Sequence, residues 1–373
     1  MSDIKAEVLS INNILEHPNA DRMELAMVDG YQVCVQKDLY KVNDLVIYIP
    51  VDSVLTEKLE SLIFGPDSKV KLHKHRVRAI KLRGAVSQGM IVPLELVKNY
   101  FGMPFRGKIC DGIDVTEALG ITKYQPPIKS MPQSMQARPK RHCHPDFHKY
   151  TDMNHFKKYT SAIPEGHPII VSEKLHGTNF RCGWVKSRPR TLFQKLKRIM
   201  RISPEWEFVY GSHNVQLQDG KGKDAFANNV YARIVMEHGL KDKIPYGEVW
   251  YGEIIGPDIQ KGYGYSIPQG EYDVYFFDIM WGHTGKYVSF DQMVRTVERY
   301  GEKAVPYSLG NFNLAHVMDL AQCDGPSYVD GKTVPIEGYV IRPQEESSFY
   351  GGRLILKLLT DDYLLIKDST DWH

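Results

Sequence analysis

The chain has 373 residues, 42% of them hydrophobic and 25% charged, which is more than one ordinary core accommodates and points to a globular protein of two domains. The formal net charge is only +2, so affinity for an acidic polymer has to come from local basic patches rather than from bulk charge. No apolar run reaches membrane-spanning length and no secretory leader is apparent; the five cysteines (34, 110, 143, 182 and 323) are odd in number and scattered, which argues against a disulfide framework and for a reducing, cytoplasmic setting with no membrane partner.

Residues 1 to about 105 read as β-rich. Met23–Val28 alternates in hydrophobicity, Asp29-Gly30 is a hairpin turn signal, and Tyr31–Val35 continues the pattern. Asp44–Val51 and Met90–Leu94 are further short strands, and Glu95–Tyr100 reads as a helix. Short strands separated by turn residues suggest a small β-barrel of OB type. One stretch of this domain is strongly basic, with Lys69, Lys71, Lys74, Arg76, Arg78, Lys81 and Arg83 interleaved with Val70, Leu72, Val77 and Ile80. Alternation is expected to gather the charges on one strand face, where they would neutralise nucleic-acid phosphates; a plain solvated strand face is the bland alternative.

Residues 106–164 have a linker composition, with Pro126-Pro127, Pro132, Pro139 and Pro145 among polar side chains. His142-Cys143-His144 and His148 are metal-ligand types, but no second cysteine pair accompanies them to close a zinc shell. A flexible basic strap is the expected role.

Residues 165–373 read as a second domain of α+β type, antiparallel sheets packed under helices. An apolar strand ending in Val171-Ser-Glu-Lys-Leu-His-Gly-Thr-Asn-Phe180 delivers Lys174 to a tight turn at His176-Gly177. Burial disfavours a charged lysine, and a lysine that sheds its proton is a nucleophile. A basic insert over 186–201, with Leu192, Leu196 and Ile199 at helical spacing, reads either as a helix along a phosphate backbone or as an amphipathic surface helix. Helices are expected over Phe226–His238, ended by Gly239, and from the capping box Ser289–Gln292 to Gly301. Strands are expected over Val249–Ile255, Tyr272–Met280, Glu337–Arg342 and Leu354–Leu359. In order they carry Y-G-E-I-I-G with Glu253, D-V-Y-F-F-D-I with Phe277, E-G-Y-V-I-R-P with Glu337, and L-I-L-K-L-L with Lys357. Each is weak alone; together they supply a nucleophile, two carboxylates, an aromatic face and a second cation.

This ordered set resembles the covalent nucleotidyltransferases, the superfamily of ATP-dependent ligases and mRNA capping enzymes, whose signature is K-x-[DH]-G followed by E, F-D, E-G and a lysine strand. The E-K-L-H-G-T-N-F variant is closest to RNA ligases of the phage and RNA-editing type. Residues 17–24, 28–35, 42–55 and 81–94 resemble the OB domain that precedes the ligase domain in one class of RNA ligases sealing 3′-OH and 5′-phosphate ends. The resemblance implies that Lys174 forms a lysyl-AMP from ATP, that Glu253 and Glu337 hold Mg²⁺ or Mn²⁺, that Phe277 stacks on adenine, and that Lys357 contacts phosphate. It also implies that Glu173 meets the adenine edge and that Leu175, His176, Asn179, His213 and Arg342 complete the AMP site. Three positions depart from the pattern: His176 stands where the OB-containing class more often has Asp, Lys357 lacks a second lysine two residues away, and Ser212-His213-Asn214 replaces Ser-Arg. Arg342, Arg353 or Lys367 are expected to supply the missing phosphate contact. The resemblance implies an ATP-dependent RNA ligase acting as a monomer on nicked duplex; it stands against a capping guanylyltransferase, for which the stretch after the last motif is too short to hold a following OB domain, a non-catalytic RNA-binding protein, and a DNA ligase. Removing the OB domain is expected to spare adenylylation and impair sealing.

Overall fold

The computed structural model describes residues 4–65, 68, 71–95, 110–124, 143–188, 204–217, 229–257, 259, 263, 265–322, 325–329, 334–349 and 352–366. Lys69, Lys367, most of the 186–201 insert, Pro126-Pro127, Pro132, Pro139 and residues 96–100 lie outside them.

The first half is a set of small antiparallel sheets. Glu7–Ser10, Leu45–Ile49 and Met90–Pro93 lie side by side in one, and Asn13–Glu16, Met23–Val28 and Tyr31–Gln36 form another. Asp29 (φ 48°) and Gly30 (φ 76°) both take the left-handed conformation that a two-residue hairpin turn requires. Gly30 is also needed for space, since a Cβ there would sit 2.6 Å from the carbonyl oxygen of Lys157. Residues beyond 105 contribute to this half. Ile113–Asp114 pairs with Glu7–Ser10, Thr122–Lys123 pairs with Ser53–Val54, and Val115, Leu119 and Ile121 are buried in the same core as Ile47, Leu59 and Val92.

Among its described residues, 71–83, the basic stretch is not a strand face. Only Ile80–Leu82 is extended in a ladder, and His73–His75 forms a short 3-10 turn with Lys74 and His75 at positive φ. Arg76 is buried, donating to Asp52 through Nε (2.8 Å) and Nη2, with its guanidinium 4.0 Å over the Tyr124 ring. A cation so enclosed is a core ion pair and not an RNA contact. Arg78 is half-buried and donates to the Ile366 carbonyl at 3.1 Å, leaving Lys71, Lys74, Lys81 and Arg83 as the exposed described cations of the stretch.

The second half carries two larger sheets. One has the order Asn154–His155, Leu356–Leu359, Gly338–Pro343, Pro168–Lys174, Tyr307–Asn311; the other runs Trp206–Gly211, Thr178–Lys186, Glu248–Ile255, Asp273–Trp281, Lys286–Tyr287. Most pairings are antiparallel, with parallel exceptions at Asn154–His155 and at Lys303–Ala304. Helix Phe290–Arg299, capped by the Ser289 side chain accepting from the Gln292 N–H, buries Phe290, Met293, Val294 and Val297 at helical spacing against the second sheet. Each such side chain contributes about 1.5–3 kcal/mol on leaving water. Helix Val230–Glu237 is capped by Asn229 and adds Ile234 and Val235 to the same core. No helix of the described residues is long and apolar enough to cross a membrane.

The strand that ends in Lys174 belongs to the first sheet, and the strand that begins at Thr178 belongs to the second. The turn 175–177 therefore bridges the two sheets and sets Lys174 at their junction. Gly177 is obligatory there, because a Cβ would lie 2.2 Å from the Ile254 carbonyl oxygen and 2.9 Å from Glu253 Cγ.

Candidate active site

Strand register assembles the site. Lys174 pairs with Gly338, which brings the residue before that glycine, Glu337, alongside the lysine. Asn179 pairs with Glu253 on the neighbouring sheet. Gly338 is needed on its other side, where the Leu356–Leu359 strand packs so close that a Cβ would lie 2.3 Å from the Leu358 carbonyl oxygen.

Between the sheets lies a cleft of about 170 Å³. Its walls include Glu173, Lys174, Leu175, Asn179, His213, Glu253, Phe277 and Arg342, so the cleft gathers these sequence-predicted residues. Lys174 is buried, and its Nζ donates to Glu337 Oε1. Glu253 is pushed up to about 8 by burial, which Lys174 opposes and Glu337 reinforces. Two carboxylates and one amine thus share one charge-limited space, the kind of arrangement found where protons or cations are exchanged. Asn179 Oδ1 is buried without a hydrogen-bond partner on the cleft wall, an acceptor left over for a ligand.

Several expected contacts are already committed. The Glu173 carboxylate accepts from the Ser327 hydroxyl and, at 3.0 Å, from the Tyr328 N–H; burial raises its pKa and these donors pull it back. It is a wall of the cleft with its oxygens held rather than a free edge for adenine. Arg342 is spent in a buried cluster, donating to Asp278 Oδ2 (2.9 Å) and to the Phe277 carbonyl (3.3 Å) and lying 4.5 Å over the Phe290 ring. Arg353 donates to the same Asp278 oxygen at 2.5 Å and also pairs with Glu346. Burial works against the Arg353 charge, yet Asp278, Tyr150 and Glu346 together outweigh it and hold the guanidinium protonated. Both arginines therefore brace Asp278 and are not loose phosphate donors. Phe277 is half-buried, edge-on to Tyr150 with centroids 4.9 Å apart, and keeps a face on the cleft.

His176 and Glu337 are not among the residues lining this cleft. Glu337 is buried behind Lys174, and His176 Nδ1 lies 2.8 Å from Glu337 Oε2. His176 is thus assigned to the carboxylate rather than to the nucleotide wall. Lys357 is buried and lines a neighbouring cleft between the two halves, with Lys123, Lys157, Lys158 and Gln88. It shares a strand face with Ile355, which lines the main cleft. His213 sits 3.7 Å from Asp152 in the main cleft, and burial lowers its pKa despite that carboxylate.

Residues the sequence reading left out are Tyr150, Thr151, Asp152 and Met153, which form one rim of the cleft, and Ser172. The first four come from the proline-rich stretch read as a strap, where no periodicity marks a wall, and Ser172 comes from the strand that ends in Lys174. His144 is buried and accepts from the Asp146 N–H, and His148 Nε2 meets the Gly282 carbonyl at 2.9 Å, so these histidines are structural; among the described residues no group of three potential ligands could hold a metal alone.

Comparison with known proteins agrees with this arrangement. Residues 167–359 match the family profile described as RNA ligase, and residues 5–94 match one described as an OB-fold domain. Among solved structures, the chain is similar to Naegleria gruberi RNA ligase in several states. A lysine-to-alanine variant with ATP and Mn gives TM-score 0.72 at 21% identity over 96% of this chain and 98% of that one. The form with pyrophosphate gives 0.71 at 22% identity over 98% of both chains. A lysine-to-methionine variant with AMP and Mn gives 0.71 at 22% identity over 96% and 97%. At these identities the likeness speaks to the fold. No curated protein matches significantly.

Proposed function

The chain belongs to the RNA ligase family, and from that premise we propose that it joins RNA 3′-OH and 5′-phosphate ends at the expense of ATP, through an adenylate carried on Lys174. The observation that supports this most is that Lys174, Glu253 and Phe277, on three different strands, line one inter-sheet cleft while the carboxylate of Glu337, buried beside it, accepts from Lys174 Nζ.

In the first step Lys174 Nζ bonds to the α-phosphorus of ATP and the bond to pyrophosphate breaks. The proton on the lysine leaves toward Glu337 Oε1, the acceptor it already contacts. The AMP passes to the 5′-phosphate of an RNA end, and a 3′-OH then displaces it. All three steps are in-line displacements at phosphorus, so positioning and charge neutralisation supply the catalysis. Phe277 offers a ring to the adenine, worth about 1–3 kcal/mol by the usual strength of base stacking. Asn179 Oδ1 is an unused acceptor suited to a ribose hydroxyl.

Glu253 and Glu337 would hold Mg²⁺ or Mn²⁺. Two oxygen ligands fit these ions, which are commonly bound by one or two carboxylates with water and substrate phosphate, and the burial and neighbouring Glu337 charge that raise the Glu253 pKa are costs a cation would offset. Such an ion would offset phosphate charge when bound. The N-terminal half, extended in this reading to Tyr124, would meet the RNA backbone through Lys71, Lys74, Lys81 and Arg83, with nicked duplex the expected substrate, one chain the working unit and a reducing intracellular setting. Incubation with α-labelled ATP and Mn²⁺ should transfer label to the protein, pyrophosphate should reverse it, and Lys174→Ala should abolish it. Absence of label on the parent protein would refute the proposal.

A further inference from the structure

We propose that His176 is a positioning residue, which pins one oxygen of Glu337 so that the other is presented to Lys174. The proposal deepens the ligase reading and rests on it. Three observations carry it. First, the two oxygens of Glu337 are divided, Oε1 accepting from Lys174 Nζ and Oε2 lying 2.8 Å from His176 Nδ1. A carboxylate paired with a lysine can only accept, so Nδ1 carries the hydrogen and the tautomer is fixed. Second, His176 is not part of the cleft wall that holds Lys174 and Glu253, so its effect on the reaction runs through Glu337.

Third, the imidazole is held by tyrosines that none of the motifs includes. Its backbone N–H donates to Tyr265 Oη at 2.7 Å. Its ring meets Tyr263 edge-on at 4.5 Å and Tyr363 at 5.2 Å, and Tyr363 Oη lies 3.3 Å from Nδ1. All three tyrosines are buried. Tyr265 (φ 50°) and Ser266 (φ 54°) both take the left-handed conformation, uncommon for residues other than glycine, so the backbone here is bent to bring the phenol to His176. Two aromatic edges and one backbone bond leave the imidazole little freedom to swing away from Glu337. The arrangement also accounts for a histidine at a position where the sequence pattern allows an acid: an aspartate in this cage would face Glu337 at hydrogen-bond range, two like charges in a buried space.

The test compares parent, His176→Ala, His176→Asn and His176→Gln. Asparagine can place an amide N–H near the position of Nδ1, whereas glutamine reaches to that of Nε2. Single-turnover transfer of label from ATP to Lys174 gives the rate and the ATP dependence, and Mn²⁺ titration without ATP, read by the loss of the free-ion spectrum, gives metal affinity. Outer partners of metal-holding groups are commonly worth about 10–100-fold in affinity or activity. His176→Ala should lose about that in rate and in Mn²⁺ affinity, with half-saturating ATP unchanged within about twofold; His176→Asn should recover most of the loss, and His176→Gln should not. Parental rates in His176→Ala, a loss confined to ATP affinity, or equal behaviour of the Asn and Gln variants would overturn the proposal. If His176→Ala fails to fold, the Asn-against-Gln contrast still decides. A parent protein that takes no label would instead refute the ligase reading.

Discussion

Asp278→Ala tests whether the buried clamp behind Phe277 carries the stability its geometry implies. Asp278 is fully buried, and its Oδ2 accepts from Arg342 (2.9 Å), Arg353 (2.5 Å) and the Tyr150 hydroxyl (3.0 Å). Truncation leaves two guanidiniums of the clamp without their shared anion. Breaking a buried pair by removing one partner costs about 3–5 kcal/mol, since the remaining charge stays desolvated. For a domain of about 200 residues, 1 kcal/mol moves Tm by about 2–4 °C, so the expected fall is about 6–20 °C. Differential scanning calorimetry on the full chain reads it, and the double variant Asp278→Leu/Arg353→Met should recover part of the loss by removing a stranded charge. A fall of less than about 2 °C would mean that water or Glu346 compensates the arginines, and the account of the clamp would be wrong.

Glu253 sits in the metal-free site at about 8, so at pH 7 it carries a proton that an incoming cation must expel. Mn²⁺ affinity, measured by titration, should therefore rise up to about tenfold per unit from pH 6 to 8 and level off above, and Glu253→Gln should flatten the profile. The sign for stability is opposite: a carboxyl raised on folding contributes stability below its unfolded value of about 4.5 and loses it as pH rises through 8, so urea midpoints without metal should decline over that window less steeply in Glu253→Gln. Gly177→Ala places a methyl 2.2 Å from the Ile254 carbonyl oxygen, and it should cost about 1–3 kcal/mol in urea unfolding and displace Glu253 enough to suppress label transfer. Replacing Lys71, Lys74, Lys81 and Arg83 together by Ala should weaken nicked-duplex binding and lower the slope of log K against log salt by about 0.9 per lost phosphate contact, with label transfer to Lys174 unchanged.

The motif strands are legible because each carries a local signal: an apolar run broken by one or two polar residues, with Lys174, Glu253 and Lys357 inside their strands and Glu337 immediately before its own. The hairpin at Asp29-Gly30 was legible for the same local reason. The basic stretch from Lys69 to Arg83 was misread because its alternation is imperfect and the residue that breaks it, Arg76, is fixed by Asp52 and Tyr124, partners that sequence order does not reveal. Arg342 and Arg353 read as phosphate donors because an arginine beside a strand motif carries no mark of the buried carboxylate opposite it; the Asp that follows Phe277 was the available clue. Of the tyrosines that cage His176, Tyr363 lies far along the chain from Tyr263 and Tyr265, and all three lie far from His176, so no spacing rule unites them.

The short helix Asp361–Leu365 has a consequence for any attempt to dissect the protein. Its first residue accepts from Gln88, the carbonyl that follows it at Ile366 accepts from Arg78, and the residue between them, Tyr363, touches His176. A catalytic half cut free of residues 1–124 would inherit a helix shorn of its moorings, and the slack would reach the histidine behind the nucleophile. Such a fragment should adenylylate sluggishly for a mechanical reason, against the expectation from sequence that removing the OB domain spares this step, so point changes on the exposed cations are the cleaner way to ask what the front half does.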